Sequence, residues 1–153
     1  MKVEGSAVLK IGAFSSFALA LLHVIVIAVG ARAYLYFGAA DLAELASRGS
    51  PAPTFLTSCL TAAFIIFGLY ALAGAGVIRR PPLVRGVLVA VGAVYTLRGL
   101  VVVLDVVRLS RGAGYPVRQT VFSAVSLVIG LLYLAGVTSR WHELKVDHDP
   151  VTG

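Results

Sequence analysis

The chain is poor in charge and nearly devoid of cysteine: of 153 residues 13% are charged, and the single cysteine is Cys59. One thiol closes no intrachain disulfide and builds no cysteine-based metal cluster. Inside an apolar run it reads as a small residue at a helix contact. Catalytic patterns are lacking too. There is no H-E-x-x-H, no glycine-rich phosphate loop after a strand, no serine, histidine and aspartate at a defensible spacing, and no pair of intramembrane carboxylates. No catalytic residue, metal ligand or cofactor is assigned on this basis. The formal net charge of +6 is spread over connections between apolar runs and forms no basic face, which argues against nucleic acid as a partner.

What the chain has in excess is apolar side chains. Hydrophobic residues make up 59% of it, about twice what a soluble domain of this size buries. That excludes a soluble globular enzyme, a disordered tail and a coiled coil. Four segments, 11–36, 54–78, 83–107 and 119–138, reach the ~20 apolar residues that a membrane-spanning helix needs. The runs are continuous rather than alternating, so they read as helices and not as barrel strands. Arg79-Arg80-Pro81-Pro82 blocks helix continuation and forces a tight hairpin between the second and third. The expected fold is an all-α membrane protein. It is one integral-membrane domain over 1–153, four transmembrane helices in an antiparallel bundle, with a polar tail over 139–153.

Lys2 and Lys10 before the first run, with Ala31-Arg32-Ala33 after it, have some features of a secretory signal. The run exceeds a signal core and an arginine occupies the cleavage box, so it is read as a retained helix. Over 39–49, Asp41, Glu44 and Arg48 fall on one helical face and Leu42 and Leu45 on another. This predicts a short amphipathic helix lying over the mouth of the bundle.

Ser47-Arg48-Gly49-Ser50-Pro51-Ala52-Pro53 parallels Ser110-Arg111-Gly112-Ala113-Gly114-Tyr115-Pro116, and the segment starting at Gly68 lines up with that starting at Gly130. One reading is a tandem repeat of two helical hairpins. The other is shared loop chemistry and common membrane vocabulary. Small residues suited to close helix contact are Gly12 and Ser16, Ala71 and Ala75, Gly92 and Gly99, and Gly130.

Polar side chains collect in one half of the bundle, which points to a polar pocket open at that end and closed beneath. Arg98 carries most weight. A guanidinium in the hydrocarbon zone costs about 2.5–3.5 kcal/mol on insertion scales, so it should face the bundle interior, water or the headgroups and find a partner. Tyr95 and Asp105 share its helix face, Asp105 two turns or about 10 Å along the axis, long for a direct pair but suited to lining one cavity. His23 stands among Leu21, Leu22, Val24 and Ile25. It is expected to be neutral and hydrogen-bonded to a serine or tyrosine of a neighbouring helix. Ser58 and Ser123 complete the candidate ligand-binding set of Arg98, Asp105, Tyr95, His23, Ser58 and Ser123. His142 and His148, beside Glu143, Asp147 and Asp149, read as a solvated tail, Trp141 as an interfacial anchor and Tyr133 as a packing or cavity residue.

Length and four-helix topology resemble the membrane-associated eicosanoid and glutathione metabolism proteins, small trimeric bundles that bind glutathione with arginines. The resemblance is one of architecture, because the second helix here has no charge where that family carries Arg, Asn and Glu. The vitamin K epoxide reductase group is excluded by the absence of a cysteine pair. The leading reading is a small polytopic protein of a bacterial inner membrane whose partners are membrane lipids and a small anionic or amphipathic ligand. An accessory subunit of a larger membrane complex or a homo-oligomer is an alternative, and a membrane enzyme of glutathione-transferase-like architecture another.

Even spans put the termini and the second loop on one side, with Lys2, Lys10, Arg79, Arg80, Arg85, Arg140 and Lys145, seven basic residues against five on the other (Arg32, Arg48, Arg108, Arg111, Arg118). The excess predicts both termini in the cytoplasm. A reporter enzyme that folds only outside the cytoplasm, fused after Gly153, should be silent and become active when fused after Ser47.

Overall fold

The computed structural model describes residues 2–111 and 117–144. Six helices follow in order: α1 (Lys2–Val29), α2 (Ala31–Tyr36), α3 (Ala40–Ser47), α4 (Ala52–Gly74), α5 (Val84–Ser110) and α6 (Val117–Ser139). Four of them, α1, α4, α5 and α6, are long and apolar enough to cross a membrane. Their outward faces carry Phe14, Phe55, Leu97 and Val103 among many large exposed apolar side chains, as expected of helices solvated by lipid rather than water. The second half of the paralleled loops, 112–116 with Tyr115, and the tail residues Lys145, Asp147, His148 and Asp149 lie outside the described residues.

Boundaries follow local chemistry. The first span, read as one helix over 11–36, begins earlier and is cut at Gly30. That glycine sits at φ 73°, a conformation that side chains with a Cβ disfavour, and the six-residue α2 starts anew beyond it. At the far end of α4, Gly76 at φ 78° closes the helix. Its N–H bonds to the Ala73 carbonyl at 3.0 Å and the Val77 N–H to Leu72 at 2.9 Å, the paired pattern of a glycine-terminated helix. Two prolines follow, and Leu83, turned to φ 60°, sends the chain into α5. The amphipathic segment expected over 39–49 is α3.

The spanning helices form a ring in the order α1, α4, α5, α6. The pairs α1/α4 and α5/α6 are broadly packed, and α4 meets α5 over a narrower strip. Small residues set the close contacts. A methyl added at Gly99 would land within the Leu127 backbone, and one added at Gly130 within that of Thr96. Gly12 lies against the Tyr133 ring, and Gly68 against Phe17. Gly68 and Gly130, aligned in sequence, thus each mark a close approach inside their own helix pair.

Two buried clusters result. The larger, at the end bearing the 75–83 hairpin, includes Leu9, Ala71, Leu88, Val91, Tyr133, Val137 and Leu144. The smaller, at the α2–α3 end, gathers Val26, Ala33, Tyr34 and Ala43. Residues 140–144 do not trail away from the bundle. Leu144 is buried, Arg140 pairs with Glu143 at 2.8 Å, and Arg85 stacks over Trp141 at 3.1 Å. Arg80 donates to the Glu143 carbonyl.

Gly99→Ala should destabilise the protein by about 1–3 kcal/mol, since α5 and α6 must part to admit the methyl. Gly86→Ala, where a Cβ meets nothing within 4 Å, should raise stability by up to about 1 kcal/mol. Reversible unfolding in mixed micelles measures both.

Candidate functional site

Between the two clusters lies a cavity of about 470 Å³ walled by α1, α4, α5 and α6 and roofed by α2, α3 and the turn between them. Its walls are chiefly aliphatic and aromatic, with Leu19, Leu22, Leu60, Phe64, Phe67, Phe122 and Val125 among them. The pocket expected to be polar is an apolar chamber with a few polar groups set into it. Three of the candidate residues line it: His23, Tyr95 and Arg98.

The floor is an aromatic layer. Tyr95 stacks on Tyr133 with ring centroids 5.8 Å apart and on Phe64 at 6.1 Å, and Phe64 meets the His23 ring at 4.9 Å. Below it, buried Ser16 lies 3.3 Å from the Tyr95 hydroxyl and 2.7 Å from that of Tyr133. Tyr133 in turn reaches the Phe67 carbonyl at 3.1 Å. A carbonyl only accepts, so Tyr133 donates to Phe67, Ser16 donates to Tyr133 and Tyr95 donates to Ser16. Each hydroxyl proton is used once and the buried oxygens are satisfied.

His23 is held differently from expectation. Its Nδ1 donates to the Leu19 carbonyl of its own helix at 2.7 Å, not to a serine or tyrosine of a neighbour. An i−4 carbonyl beside the ring outcompetes a hydroxyl that another helix would have to deliver. With Nδ1 carrying the proton, neutral His23 keeps Nε2 as an acceptor.

Arg98 reaches across to α6. Its Nη1 donates to Ser123 Oγ at 3.0 Å, and Ser123 Oγ donates to Asp105 Oδ2 at 2.6 Å. The serine thereby joins two groups that are two turns apart on α5. Asp105 and Ser123 are fully buried and sit behind the wall rather than in the cavity. Arg98 itself is exposed, and among the described residues Ser123 is its one hydrogen-bond partner. Ser58 is exposed, with its hydroxyl bonded back to the Thr54 carbonyl at 2.8 Å, and lies outside the cavity.

Thr57, Tyr34 and Gln119 belong to the polar half of the bundle from which the pocket is inferred but not to the candidate set, and all three are on the lining. The Tyr34 hydroxyl meets Thr57 Oγ1 at 2.9 Å and fastens the roof to α4. Gln119 Nε2 donates to the Phe37 carbonyl at 3.1 Å and fastens it to α6. The signal for Thr57 was present: 57, 60, 64 and 67 repeat at helical spacing, and Ser58 is a step of about 100° off that face. No group of three or more His, Cys, Asp or Glu side chains among the described residues is arranged to hold a metal ion.

Fold and cavity together define an all-helical protein with four helices long and apolar enough to cross a membrane, an apolar chamber between them and the Arg98 guanidinium at its wall. The chain matches no protein-family model, no curated protein and no solved structure.

Ser123→Ala should destabilise the fold by about 1–3 kcal/mol, because the buried Asp105 carboxylate loses a donor. Ser58→Ala should stay within about 0.5 kcal/mol. Thermal unfolding of the two variants side by side makes the comparison.

Proposed function

We propose that this protein binds a small amphipathic anion or lipid headgroup in its central cavity, with Arg98 as the fixed positive charge. In this reading the protein belongs to a bacterial inner membrane, its four spanning helices run antiparallel and both termini are cytoplasmic. The α2–α3 roof then faces outward. The observation that carries it is a guanidinium on an apolar chamber with a single serine partner among the described residues. Such a charge costs about 2.5–3.5 kcal/mol at the centre of a spanning helix. One neutral hydroxyl offsets little of that, whereas an oxyanion accepting two parallel N–H bonds matches a guanidinium in charge and shape. The mainly apolar walls suit the rest of an amphiphile. His23 provides a polar atom at the wall and the Tyr95 ring closes the floor, and the buried Asp105, acting through Ser123, holds the guanidinium in place. Ser58 has no part in the site.

Lipid mass spectrometry of protein extracted in mild detergent tests this. Wild type should carry an anionic amphiphile in stoichiometric amount, Arg98→Leu should lose at least nine-tenths of it, and Arg98→Lys should keep a measurable share. An Arg98→Leu protein that is merely more stable, with its bound lipid unchanged, sinks the reading.

A further inference from the structure

The roof and the walls of the cavity differ in how they are closed, and the difference bears on which molecules reach Arg98. At the α2–α3 end, Tyr34 is bonded to Thr57 and Gln119 to the Phe37 carbonyl. The rings of Phe37 and Phe122 pack at 5.5 Å, so the path from water at that end is tied to both α4 and α6. The seam between α4 and α5 is another matter. Near the hairpin, Gly74 sits against Leu88, and one level up Phe64 and Phe67 both meet the Tyr95 ring at 6.1 Å. One turn beyond that aromatic layer come Leu60 on α4 and Arg98 on α5. Leu60 and Val94 both line the cavity and yet are 43% and 55% exposed. A side chain that faces cavity and surroundings at once marks an opening, and here the surroundings are lipid.

Resting on the binding function proposed above, we infer that the cavity takes a single-chain anionic amphiphile sideways from the bilayer, through the α4–α5 seam past Leu60 and Val94, with its oxyanion on Arg98 and its chain inside. The volume of 470 Å³ holds roughly 15 methylene-sized units at about 30 Å³ each, the share of one water in the liquid. That is room for one hydrocarbon chain. Arg98 is exposed at the seam, so the head stays at the opening while the tail fills the chamber. The hydroxyl of Tyr95 is turned away to Ser16, so the floor directs no tyrosine donor at the chain end.

The test uses the full chain in phosphatidylcholine vesicles at pH 9, with Phe67→Trp as a reporter inside the cavity and Trp141→Phe to remove the native fluorophore. The probe is stearate spin-labelled near its methyl end, with its methyl ester as the uncharged control and octanoate added from water as the soluble competitor. Stearate should quench saturably and the ester at least tenfold more weakly. Leu60→Phe with Val94→Phe should slow stearate uptake at least tenfold, a far larger effect than any on the final quenching. Should the bulky pair fail to fold, Leu60→Ala with Val94→Ala takes its place and should speed uptake at least threefold. Saturable quenching whose rate ignores both pairs, or octanoate displacing the probe from water at a rate they do not alter, overturns the lateral route and leaves the binding function standing. No saturable quenching by stearate overturns both.

Discussion

The contact on which the rest depends is the meeting of α5 and α6 at Gly99 and Gly130. Without side chains there, the two backbones come close enough that Ser123 on α6 reaches Arg98 and Asp105 on α5 at once. A larger residue at either glycine would separate the helices. The serine would then serve neither partner, and a carboxylate would be left in an apolar interior without its hydroxyl donor, an expensive situation. Small residues at a membrane helix interface usually matter for dispersion contacts alone. Here they also determine whether the polar groups of the bundle can be satisfied.

Because α5 is committed to α6 and α1 to α4, the fourth side of the ring is left narrow. The chamber is what remains when large aromatic side chains keep α4 from closing on α5 above the Tyr95 layer. Phe64, Phe67 and Tyr95 are thus both its floor and the wedge that creates it. Ser16 and the two tyrosines fix the wedge from below by a run of hydrogen bonds whose direction the Phe67 carbonyl dictates. Aromatic stacking and hydroxyl pairing thus act together on Tyr95 and Tyr133.

Much of the architecture was legible in the residues. Four long apolar runs and the Pro81-Pro82 break mark the spanning helices, and the alternation of Leu42 and Leu45 with Asp41 and Glu44 marks α3. The small residues that pack were also recognisable, because glycine and alanine in such runs have few other uses. The break at Gly30 was not, since a lone glycine inside an apolar helix is ordinary and only the positive φ distinguishes it. Depth along the membrane pointed to Arg98, Tyr95 and His23 as members of one chamber, yet depth says nothing of azimuth. Ser58 and Thr57 lie at the same level, and the 100° between them separates surface from lining. Nor could spacing along α5 show that a serine from another helix would join Arg98 to Asp105.

At the hairpin end, the carbonyl of Ala75 accepts from Ser6 Oγ and from Arg140 Nη1, each at 2.8 Å. The first helix, the hairpin and the turn after the last helix are therefore knotted at a single oxygen. The ends of three spanning helices, α1, α4 and α6, are thus held through one acceptor, and α5 follows from it along the hairpin.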